Sequence, residues 1–338
     1  MMLLALVLAG CEAEPLPSWD SKLAVDPGSI AGRVCNATGG GWLQGATVYT
    51  HVTDRDRILE TRLVYTDRDG RWLIDDLPGG RMYDIFVYHG YVPLDDQAEE
   101  GVWLGDGTTV VLPEPYCVDP SVYNVAVVSG SRDDLESVLH EIGLTEVDRV
   151  DGLDPSALLA FLSELDALRA YDFIFVNGGH EEDGIVTDAQ VQENLRAYVE
   201  GGGSLFASEQ AYDLVEQTWP EKLEFIGNDS LPDDAQVGSM GVVNAAVFDP
   251  NLAYWLNADH FEIGYTMSEW APIESVDTES VTIHLKGNVS YSDGELSQAP
   301  LMVSFNSGEG QVAYSSFGVA ENDSPELRKL MQYLFFGL

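Results

Sequence analysis

The spacing of apolar residues changes near residue 120, and this change constrains the fold of the 338-residue chain more than any other feature. Before it, short runs of alternating apolar and polar residues are separated by glycine-containing turns, a pattern typical of a β-sandwich. After it, apolar strands alternate with amphipathic helices, which is typical of a parallel sheet covered by helices. A chain of this length also exceeds one typical domain. The sequence therefore predicts an all-β domain followed by an α/β domain.

The first domain is predicted over residues 28–116, after a charged, proline-containing tether over residues 12–27. The segments GSIAGRV, LQGATVYT and TDRDGRWLIDDLPGGRMYDIFVYHGY resemble the carboxypeptidase regulatory-like domain, a small transthyretin-like β-sandwich. In this pattern Asp69-Gly70 forms a tight hairpin turn. The resemblance implies a spacer or interaction module that has no peptidase activity of its own.

The second domain is predicted over residues 121–338. Residues 219–300 lack a clear period and are interpreted as an insertion with short strands of its own. A hairpin follows, and Ser324 caps a last helix that ends at Phe336. The predicted strands are 123–129, 147–150, 171–176, 204–207, 301–305 and 311–316, and the helices before the insertion are 133–143, 155–168 and 188–200.

Four segments of this domain, YNVAVVSG, YDFIFVNGG, LRAYVEGGGSLFASEQ and GEGQVAYSSFGVAEND, resemble the class I glutamine amidotransferase-like fold, which is flavodoxin-like. Active members of that superfamily carry a cysteine nucleophile in the turn after one strand and a histidine base near the last strand. Here the turn holds Ser208 and Glu209, the domain contains no cysteine, and the last strand ends at Ser316 without a histidine. Because such chemistry needs a thiolate and a base, the departure argues against glutaminase activity.

Ser208 is the remaining candidate nucleophile, with His180 as its base and Glu209 as the group that orients the base. The G-x-S-x-G elbow of serine hydrolases is missing, since Ser208 lies in Phe-Ala-Ser-Glu-Gln. The favoured interpretation makes Ser208 the N-cap of a helix over residues 209–217 and His180 a loop residue.

A ligand site, if the domain has one, is predicted at the carboxyl ends of the parallel strands, where open α/β sheets leave backbone groups unpaired. Glycines at this edge allow close approach of a ligand. Ordinary strand-to-helix turns would show similar residues, so both interpretations stay open. The candidate residues are Ser129, Gly130, Asn177, Gly178, Gly179, His180, Ser208 and Glu209.

The turn Glu181-Glu182-Asp183 is a candidate calcium site, because carboxylate oxygens are the ligands that Ca²⁺ prefers. Adjacent residues of one loop rarely converge on one ion, so a solvated acidic loop is the favoured interpretation. Asp67 and Asp69 are interpreted as turn residues, since the other ligands of an EF-hand are missing. No cofactor other than this possible Ca²⁺ is predicted.

The N-terminal segment MMLLALVLAGC, residues 1–11, resembles the signal peptide and lipobox of bacterial lipoproteins. The resemblance implies acylation of the Cys11 sulfur and removal of the residues before it, so that Cys11 becomes the mature N-terminus and carries a lipid anchor. The apolar run is too short to span a bilayer, which requires about 20 residues. Cys35 and Cys117 are the only other cysteines, and a pair in an exported protein favours a disulfide.

The formal charge of −41 is unevenly distributed. Residues 12–118 carry 18 acidic and 8 basic side chains, whereas residues 119–338 carry 39 and 8. Nucleic-acid partners are not expected, because phosphate backbones attract basic surfaces. An acidic surface that keeps an extracellular protein soluble is the favoured interpretation, and attraction of a cationic partner is the alternative.

Three functional hypotheses follow for a chain anchored to a bacterial membrane outside the cytoplasm. The leading one is a non-catalytic binding or structural module of the cell envelope, whose partner is an envelope protein or polysaccharide. The second is an envelope or extracellular hydrolase that uses Ser208 and His180. The third is carbohydrate recognition through Trp219, Trp255 and Trp270, although tryptophans are more often core residues.

Overall fold

The computed structural model describes residues 26–35, 42–54, 57–89, 92–93, 99–117, 123–142, 144, 146–180, 184–228, 231, 233–322 and 324–336. The signal segment with Cys11, nearly all of the tether, and the turn Glu181-Glu182-Asp183 lie outside these residues. Within the described part of the chain, no helix is both long enough and apolar enough to cross a membrane.

The strands before residue 118 form two sheets, and among the described residues they pair only with one another. In the first sheet β1 pairs antiparallel with β4 and parallel with β8 and β9. In the second the order is β3-β2-β5-β6, with β7 also paired to β5. The strands are β1 Gly28–Cys35, β2 Thr47–Asp54, β3 Arg57–Tyr65, β4 Arg71–Leu77, β5 Arg81–His89, β6 Val92–Pro93, β7 Glu99–Leu104, β8 Thr109–Val111 and β9 Tyr116–Cys117.

The alternation seen in the sequence sets which face of these strands is buried. Ile30 and Val34 of β1, Val48 of β2 and Ile85 of β5 are all buried. They belong to one hydrophobic cluster together with Trp72 of β4. Side chains of a strand point alternately to its two faces, so apolar residues at every second position place one face of each strand in the core.

The turn over Asp67–Gly70 joins strands of different sheets, since β3 pairs with β2 and β4 pairs with β1. The predicted tight turn is present, since the Asp67 amide donates to the Arg71 carbonyl oxygen at 2.9 Å and the Gly70 amide to the Asp67 carbonyl oxygen at 2.8 Å, but the strands that flank it do not pair with each other. The Asp67 carboxylate accepts hydrogen bonds from the amides of Asp69 (2.9 Å) and Arg71 (2.8 Å), which confirms its role in the turn. Gly70 has a φ of 66°, and a Cβ there would lie 2.3 Å from the carbonyl oxygen of Val34.

The predicted disulfide between Cys35 and Cys117 is confirmed. The two cysteines lie opposite each other on the parallel strands β1 and β9, with their Cα atoms 4.3 Å apart. The bond therefore links the first strand of this region to its last.

The rest of the chain is organised around a nine-stranded mixed sheet, with the order β11-β10-β12-β13-β20-β19-β18-β15-β16. The first five strands of this order are parallel, and the pairs from β20 to β16 are antiparallel. The strands are β10 Val125–Val128, β11 Asp148–Val150, β12 Phe173–Val176, β13 Ser204–Ser208, β14 Leu223–Phe225, β15 Gly241–Val247, β16 His260–Tyr265, β17 Ile273–Val276, β18 Val281–Tyr291, β19 Gly294–Ser307 and β20 Gly310–Ser315.

Helices contribute to two separate hydrophobic clusters. Residues of α1, α6 and α7 pack with Phe175 of β12, whereas residues of α2, α4 and α5 pack with its neighbour Ile174. Because adjacent strand residues point to opposite faces, the clusters lie on the two sides of the sheet. The helices are α1 Leu135–Glu141, α2 Pro155–Leu162, α3 Leu165–Leu168, α4 Ala189–Glu200, α5 Tyr212–Thr218, α6 Pro250–Leu256 and α7 Pro325–Phe336.

Residues 219–300, interpreted above as an insertion with short strands, largely continue the main sheet. β15, β16 and β18 lie in it, and β18 pairs along most of its length with β19. Among the described strands of this segment, β14 and β17 form a separate two-stranded sheet. The hairpin predicted from strands 301–305 and 311–316 is confirmed as the antiparallel pair of β19 and β20.

Candidate functional site at the carboxyl ends of the parallel strands

Four parallel strands bring their following loops to one edge of the sheet. β10, β12, β13 and β20 are consecutive neighbours in register. Their loops begin at Ser129, Asn177, Glu209 and Ser316. The segments predicted to form a ligand site therefore do come together, and the loop after β20 joins them.

Glu209 occupies a strained turn directly after β13. Its φ is 49°, in the left-handed region that costs a non-glycine residue on the order of 1–3 kcal/mol. The hydroxyl of Tyr314 donates a hydrogen bond to the Glu209 carbonyl oxygen at 2.8 Å, which helps hold this conformation. Gly178 packs against the turn so closely that an added Cβ would lie 2.9 Å from the Glu209 Cβ. The neighbouring loop thus fixes where Glu209 lies.

Two buried carboxyl groups accept hydrogen bonds from three consecutive amides of the loop after β20. The amide of Gly318 donates to Glu209 Oε1 at 3.0 Å. The amide of Val319 donates to Asp133 Oδ2 at 3.0 Å, and that of Ala320 donates to Asp133 Oδ1 at 2.9 Å. This carboxyl pair, Asp133 and Glu209, therefore ties the loop to the start of α1 and to the end of β13.

The electrostatics of the carboxyl pair favour a bound proton. Burial raises the pKa of Glu209 to about 7, and the nearby charges of Asp133 and Glu321 act in the same direction. Burial also raises the pKa of Asp133, while its hydrogen bonds from Val319, Ala320 and other groups oppose the rise. Glu209 Oε2 is buried and has no hydrogen-bond partner among the described residues. A proton on this oxygen lowers the cost of leaving it unpaired.

Ser208 is fully buried and faces Asp133 rather than a histidine. Its hydroxyl lies close enough to lower the pKa of Asp133, yet Oγ makes no hydrogen bond of regular geometry within the described chain. Ser208 does precede the short 3-10 helix Glu209–Ala211, but its side chain does not cap that helix. The expected N-cap contact is therefore missing.

His180 lies on the same edge and is also buried. Its Nδ1 lies 3.3 Å from the carbonyl oxygen of Asn177, and burial lowers its pKa to about 4. His180 is therefore neutral at physiological pH. Because Ser208 Oγ has no hydrogen bond of regular geometry among the described residues, the nucleophile–base contact that a hydrolase needs is not formed between these two residues.

The other predicted residues of the edge are used within the fold. Asn177 Oδ1 accepts a hydrogen bond from the amide of Leu135 at the start of α1 (3.1 Å), and Ser129 Oγ accepts one from the amide of Gly152 (3.3 Å). Gly130 and Gly178 pack backbone to backbone, and an added Cβ on Gly130 would lie 2.1 Å from the Gly178 carbonyl oxygen. Polar and glycine residues here thus have structural roles.

Residues 265–270 cover the edge from the side of β16. The Tyr265 hydroxyl lies 2.8 Å from Ser316 Oγ, and the Arg132 guanidinium donates to Met267 Sδ at 2.6 Å. Gln210 Nε2 donates to the carbonyl oxygen of Glu269 at 3.4 Å. The cover comes from the segment interpreted as an insertion, and it limits direct access to Glu209, which is 8% exposed.

Comparisons with known proteins show only distant structural likeness. No protein-family model matches the chain, and no curated protein matches it. A cytoplasmic protein from Salmonella typhimurium is 16% identical with a TM-score of 0.43, over 63% of this chain and 98% of that one. A ThuA-like protein from Bacteroides uniformis is 12% identical with a TM-score of 0.46, over 67% of this chain and 94% of that one.

A third solved structure, a β-galactosidase from a Rahnella species, is 13% identical with a TM-score of 0.36. That alignment covers 63% of this chain and 30% of the enzyme. Structural neighbours thus include ThuA-like and related proteins, at similarities that assign neither a family nor an activity to this chain.

The structure describes the side chains of two of the candidate tryptophans, Trp219 and Trp270, but not the turn that is the candidate calcium site. Glu181, Glu182 and Asp183 lie outside the described residues, and the described residues contain no cluster of three or more side chains suited to a metal ion. Trp219 and Trp270 are 2% and 4% exposed and belong to the core, as expected for most tryptophans.

Sequence reasoning missed Asp133, although the sequence carries a signal for it. Two aspartates precede α1, and only one is needed as its N-cap. Asp134 takes that role by accepting a hydrogen bond from the amide of Ser137. Asp133 is therefore free of the capping role and turns towards the loop after β20.

A second buried polar network lies between the antiparallel strands β18 and β19 and the helices α6 and α7. His284 Nε2 lies 2.8 Å from Ser304 Oγ, and His284 Nδ1 lies 3.4 Å from Asp249 Oδ2. The Tyr333 hydroxyl donates to the same Asp249 oxygen at 3.2 Å. The order serine–histidine–aspartate resembles a hydrolase triad, but Ser304 lies inside β19 and is 2% exposed. The network therefore fastens helices to the sheet.

Proposed function

We propose that the chain is a non-catalytic binding or structural module of the bacterial cell envelope, anchored by a lipid on Cys11. In this proposal residues 28–116 form a transthyretin-like β-sandwich that serves as a spacer or interaction module. Residues 121–338 form a flavodoxin-like, amidotransferase-like domain that has lost its catalytic groups. The two small sheets and the helix-covered parallel strands support these assignments.

The observation that carries the proposal is that Glu209 occupies the strained turn after β13 and that its carboxyl group is buried and hydrogen-bonded. A strained turn after a strand is a device that active sites use to present a reactive side chain. Here the turn presents Glu209, whose carboxyl is buried, tied to Gly318 and coupled to Asp133. The neighbouring Ser208 Oγ has no hydrogen bond of regular geometry to a base among the described residues. These contacts support a structural rather than a catalytic role for the groups at this edge.

The ligand of such a module would be an envelope protein or polysaccharide, with Asn177, His180 and Glu209 as the polar groups nearest the edge. Binding there requires residues 265–270 to move, since they contact Arg132 and Gln210. Metal binding at Glu181-Glu182-Asp183 remains a separate proposal, which a calcium titration of the purified protein tests.

The test is reaction with a fluorophosphonate probe together with turnover of glutamine and p-nitrophenyl acetate. The purified chain is compared with Ser208→Ala and Glu209→Gln. We expect no labelling of Ser208 and the same background turnover in all three proteins, because no group activates the hydroxyl. Labelling or turnover that Ser208→Ala abolishes would contradict the proposal and restore the hydrolase hypothesis.

A further inference from the structure

The cover over the candidate site, residues 265–270, is fixed at both of its ends. At the first end the amide of Gly264 donates to Asn322 Oδ1 at 2.6 Å, and Asn322 Nδ2 donates to the Gly264 carbonyl oxygen at 3.0 Å. At the other end the buried Trp270 ring stacks on Tyr265, with ring centroids 4.0 Å apart. The fixed ends leave the middle of the cover, residues 266–269, as the part that can move.

The side-chain contacts that hold the middle of the cover are exposed or weak. Thr266 Oγ1 donates to Glu321 Oε2, and both of these residues are exposed. The exposed Arg132 guanidinium donates to Met267 Sδ, and a thioether sulfur is a weak acceptor. Contacts of this kind contribute little to holding a segment in place.

Glu269 adds strain to the closed position of the cover. Its φ is 73°, in the left-handed region that is costly for a residue other than glycine. Its carbonyl oxygen accepts a hydrogen bond from Gln210 Nε2 at 3.4 Å, near the upper limit for such a bond. The middle of the cover is therefore held against a backbone preference by a long hydrogen bond.

The residues that hold the cover adjoin the carboxyl pair. Arg132 precedes Asp133, and Gln210 follows Glu209. Glu321 lies directly after the three amides that donate to the pair. A change of charge in the pair therefore acts directly on the partners of the cover.

Two acidic side chains and one basic side chain act on Glu209. Burial, followed by the charges of Asp133 and Glu321, raises the pKa of Glu209 to about 7, against the Gly318 hydrogen bond and the charge of Arg132. The tyrosines that face this carboxyl are neutral because burial raises their pKa values; they are Tyr265 of the cover and Tyr314 of β20.

Ionisation of Glu209 opposes the closed position of the cover. Oε2 of Glu209 is buried and has no hydrogen-bond partner among the described residues, and a charged oxygen in that state is costly. The same charge repels Glu321, which holds Thr266, and attracts Arg132, which holds Met267. Lifting the middle of the cover admits water to Oε2 and weakens the repulsion between like charges.

We infer that residues 266–269 form a gate, which is closed while Glu209 carries a proton and opens when Glu209 ionises. Opening uncovers the carboxyl ends of the parallel strands. The inference goes beyond the proposed function, because it requires neither a lipid anchor nor a bound ligand.

The direction of the pH dependence follows from the two states of Glu209. In the open state water surrounds the carboxyl, so its pKa returns towards 4.5, whereas in the closed state it is about 7. The proton therefore stabilises the closed gate fully below pH 4.5, and this preference is lost as the pH rises to about 7. The equilibrium constant for opening rises by at most roughly 300-fold over this range.

Oxidation of Met267 by dilute hydrogen peroxide reports the gate, because sulfoxide formation follows the exposure of the sulfur. Met240 in the same chain is 65% exposed and serves as the reference. In the wild type we expect the ratio of the Met267 rate to the Met240 rate, measured by peptide mass spectrometry, to rise about threefold or more from about pH 5 to pH 8. In Glu209→Gln the ratio should stay constant, because the glutamine carries no charge at either pH.

Glu321→Gln is a second variant, and it decides the matter if circular dichroism shows that Glu209→Gln does not fold. It keeps a side chain that can bond to Thr266 and removes a charge that raises the pKa of Glu209. We expect the rise in the ratio to level off at a lower pH than in the wild type. Glu193→Gln, on the exposed side of α4, is the matched control and should behave as the wild type.

Three results would overturn the inference: a constant ratio in the wild type, a rise that persists in folded Glu209→Gln, or an unchanged levelling pH in Glu321→Gln. An equal rise at Met302 and Met331 would also overturn it. These two core methionines are 0% exposed, so their oxidation would show that the whole domain loosens and not the gate alone.

Discussion

At the scale of single residues, Ser208 and Ser304, two of the buried serines of the main sheet, differ in a way that only the structure reveals. Ser208 and Ser304 are 0% and 2% exposed. Ser304 Oγ is hydrogen-bonded to His284 at 2.8 Å, whereas Ser208 Oγ has no regular hydrogen bond. A buried hydroxyl without a partner keeps its desolvation penalty, whereas a satisfied one contributes to stability.

We therefore predict different effects of the same substitution at these two positions. Ser208→Ala should change the free energy of unfolding by less than about 1 kcal/mol, because Ser208 Oγ makes no hydrogen bond of regular geometry among the described residues and its influence on Asp133 is the smallest of those that shift the pKa of that carboxyl. Ser304→Ala should lower it by about 1–2 kcal/mol, because it leaves His284 without this partner. Urea denaturation of both variants measures the difference. Equal destabilisation by the two substitutions would contradict this prediction, because it would show that Ser208 Oγ has a stabilising hydrogen-bond partner.

The sequence located Ser208, Glu209 and His180 at one edge because strand ends can be recognised from local apolar runs. It did not reveal that Glu209 and Asp133 bind the same loop. The contacts of Asp133 with Val319 and Ala320 span 186 and 187 positions along the chain. No local period encodes such a contact, so this part of the site required the structure.

At the scale of elements, the carboxyl pair connects α1, β13 and the loop after β20. The folded chain holds the proton of Glu209 more tightly than the unfolded chain does, since its pKa rises from 4.5 to about 7. Protonated Glu209 therefore stabilises the connection fully below pH 4.5, and this contribution is lost as the pH rises to about 7.

We predict that Glu209→Gln removes part of this pH dependence. Between about pH 5 and pH 8 the wild type should lose stability relative to the variant by on the order of 1–3 kcal/mol, because each pKa unit corresponds to about 1.4 kcal/mol. Thermal and urea unfolding across this range measure the effect, with Glu193→Gln as an exposed control. A wild type and variant whose stabilities stay parallel across the range would refute the coupling.

Among the elements, the sequence predicted the parallel strands and the final hairpin well, because their apolar runs are short and continuous. It failed for β18, whose pairing with β19 contains register shifts between Ile283 and Leu285 and between Gly287 and Val289. Each shift moves the following side chains to the other face. The alternation of side chains between the two faces of β18 is therefore interrupted, so the sequence of this long strand does not show the two-residue period of a regular strand.

At the scale of the whole molecule, length and the change of period near residue 120 were enough to predict an all-β region followed by an α/β region. The Cys35–Cys117 bond, predicted from cysteine number and export, closes the first region. How far the main sheet extends beyond its parallel strands was not predictable, because the antiparallel strands arise from residues 241–307 with mixed composition.

Anchoring is the property of the whole molecule that the N-terminal resemblance predicts. Cys11→Ser removes the sulfur that would carry the lipid, so the protein should move from the membrane fraction to the soluble fraction or remain unprocessed. Two or more acyl chains anchor firmly, whereas one binds only marginally. Fractionation of cells expressing both forms, followed by mass determination of the mature N-terminus, measures this. Unchanged membrane retention of the variant would rule out lipidation at this residue.

Glu209 in the strained turn is electrostatically coupled to Asp133, which lies before α1. The most direct measurement is a ¹³C NMR titration of the Glu209 carboxyl in the wild type and in Asp133→Asn. We expect a midpoint near pH 7 in the wild type, and a lower midpoint in the variant, still above 4.5 because burial persists. A midpoint near 4.5 in both proteins would contradict it.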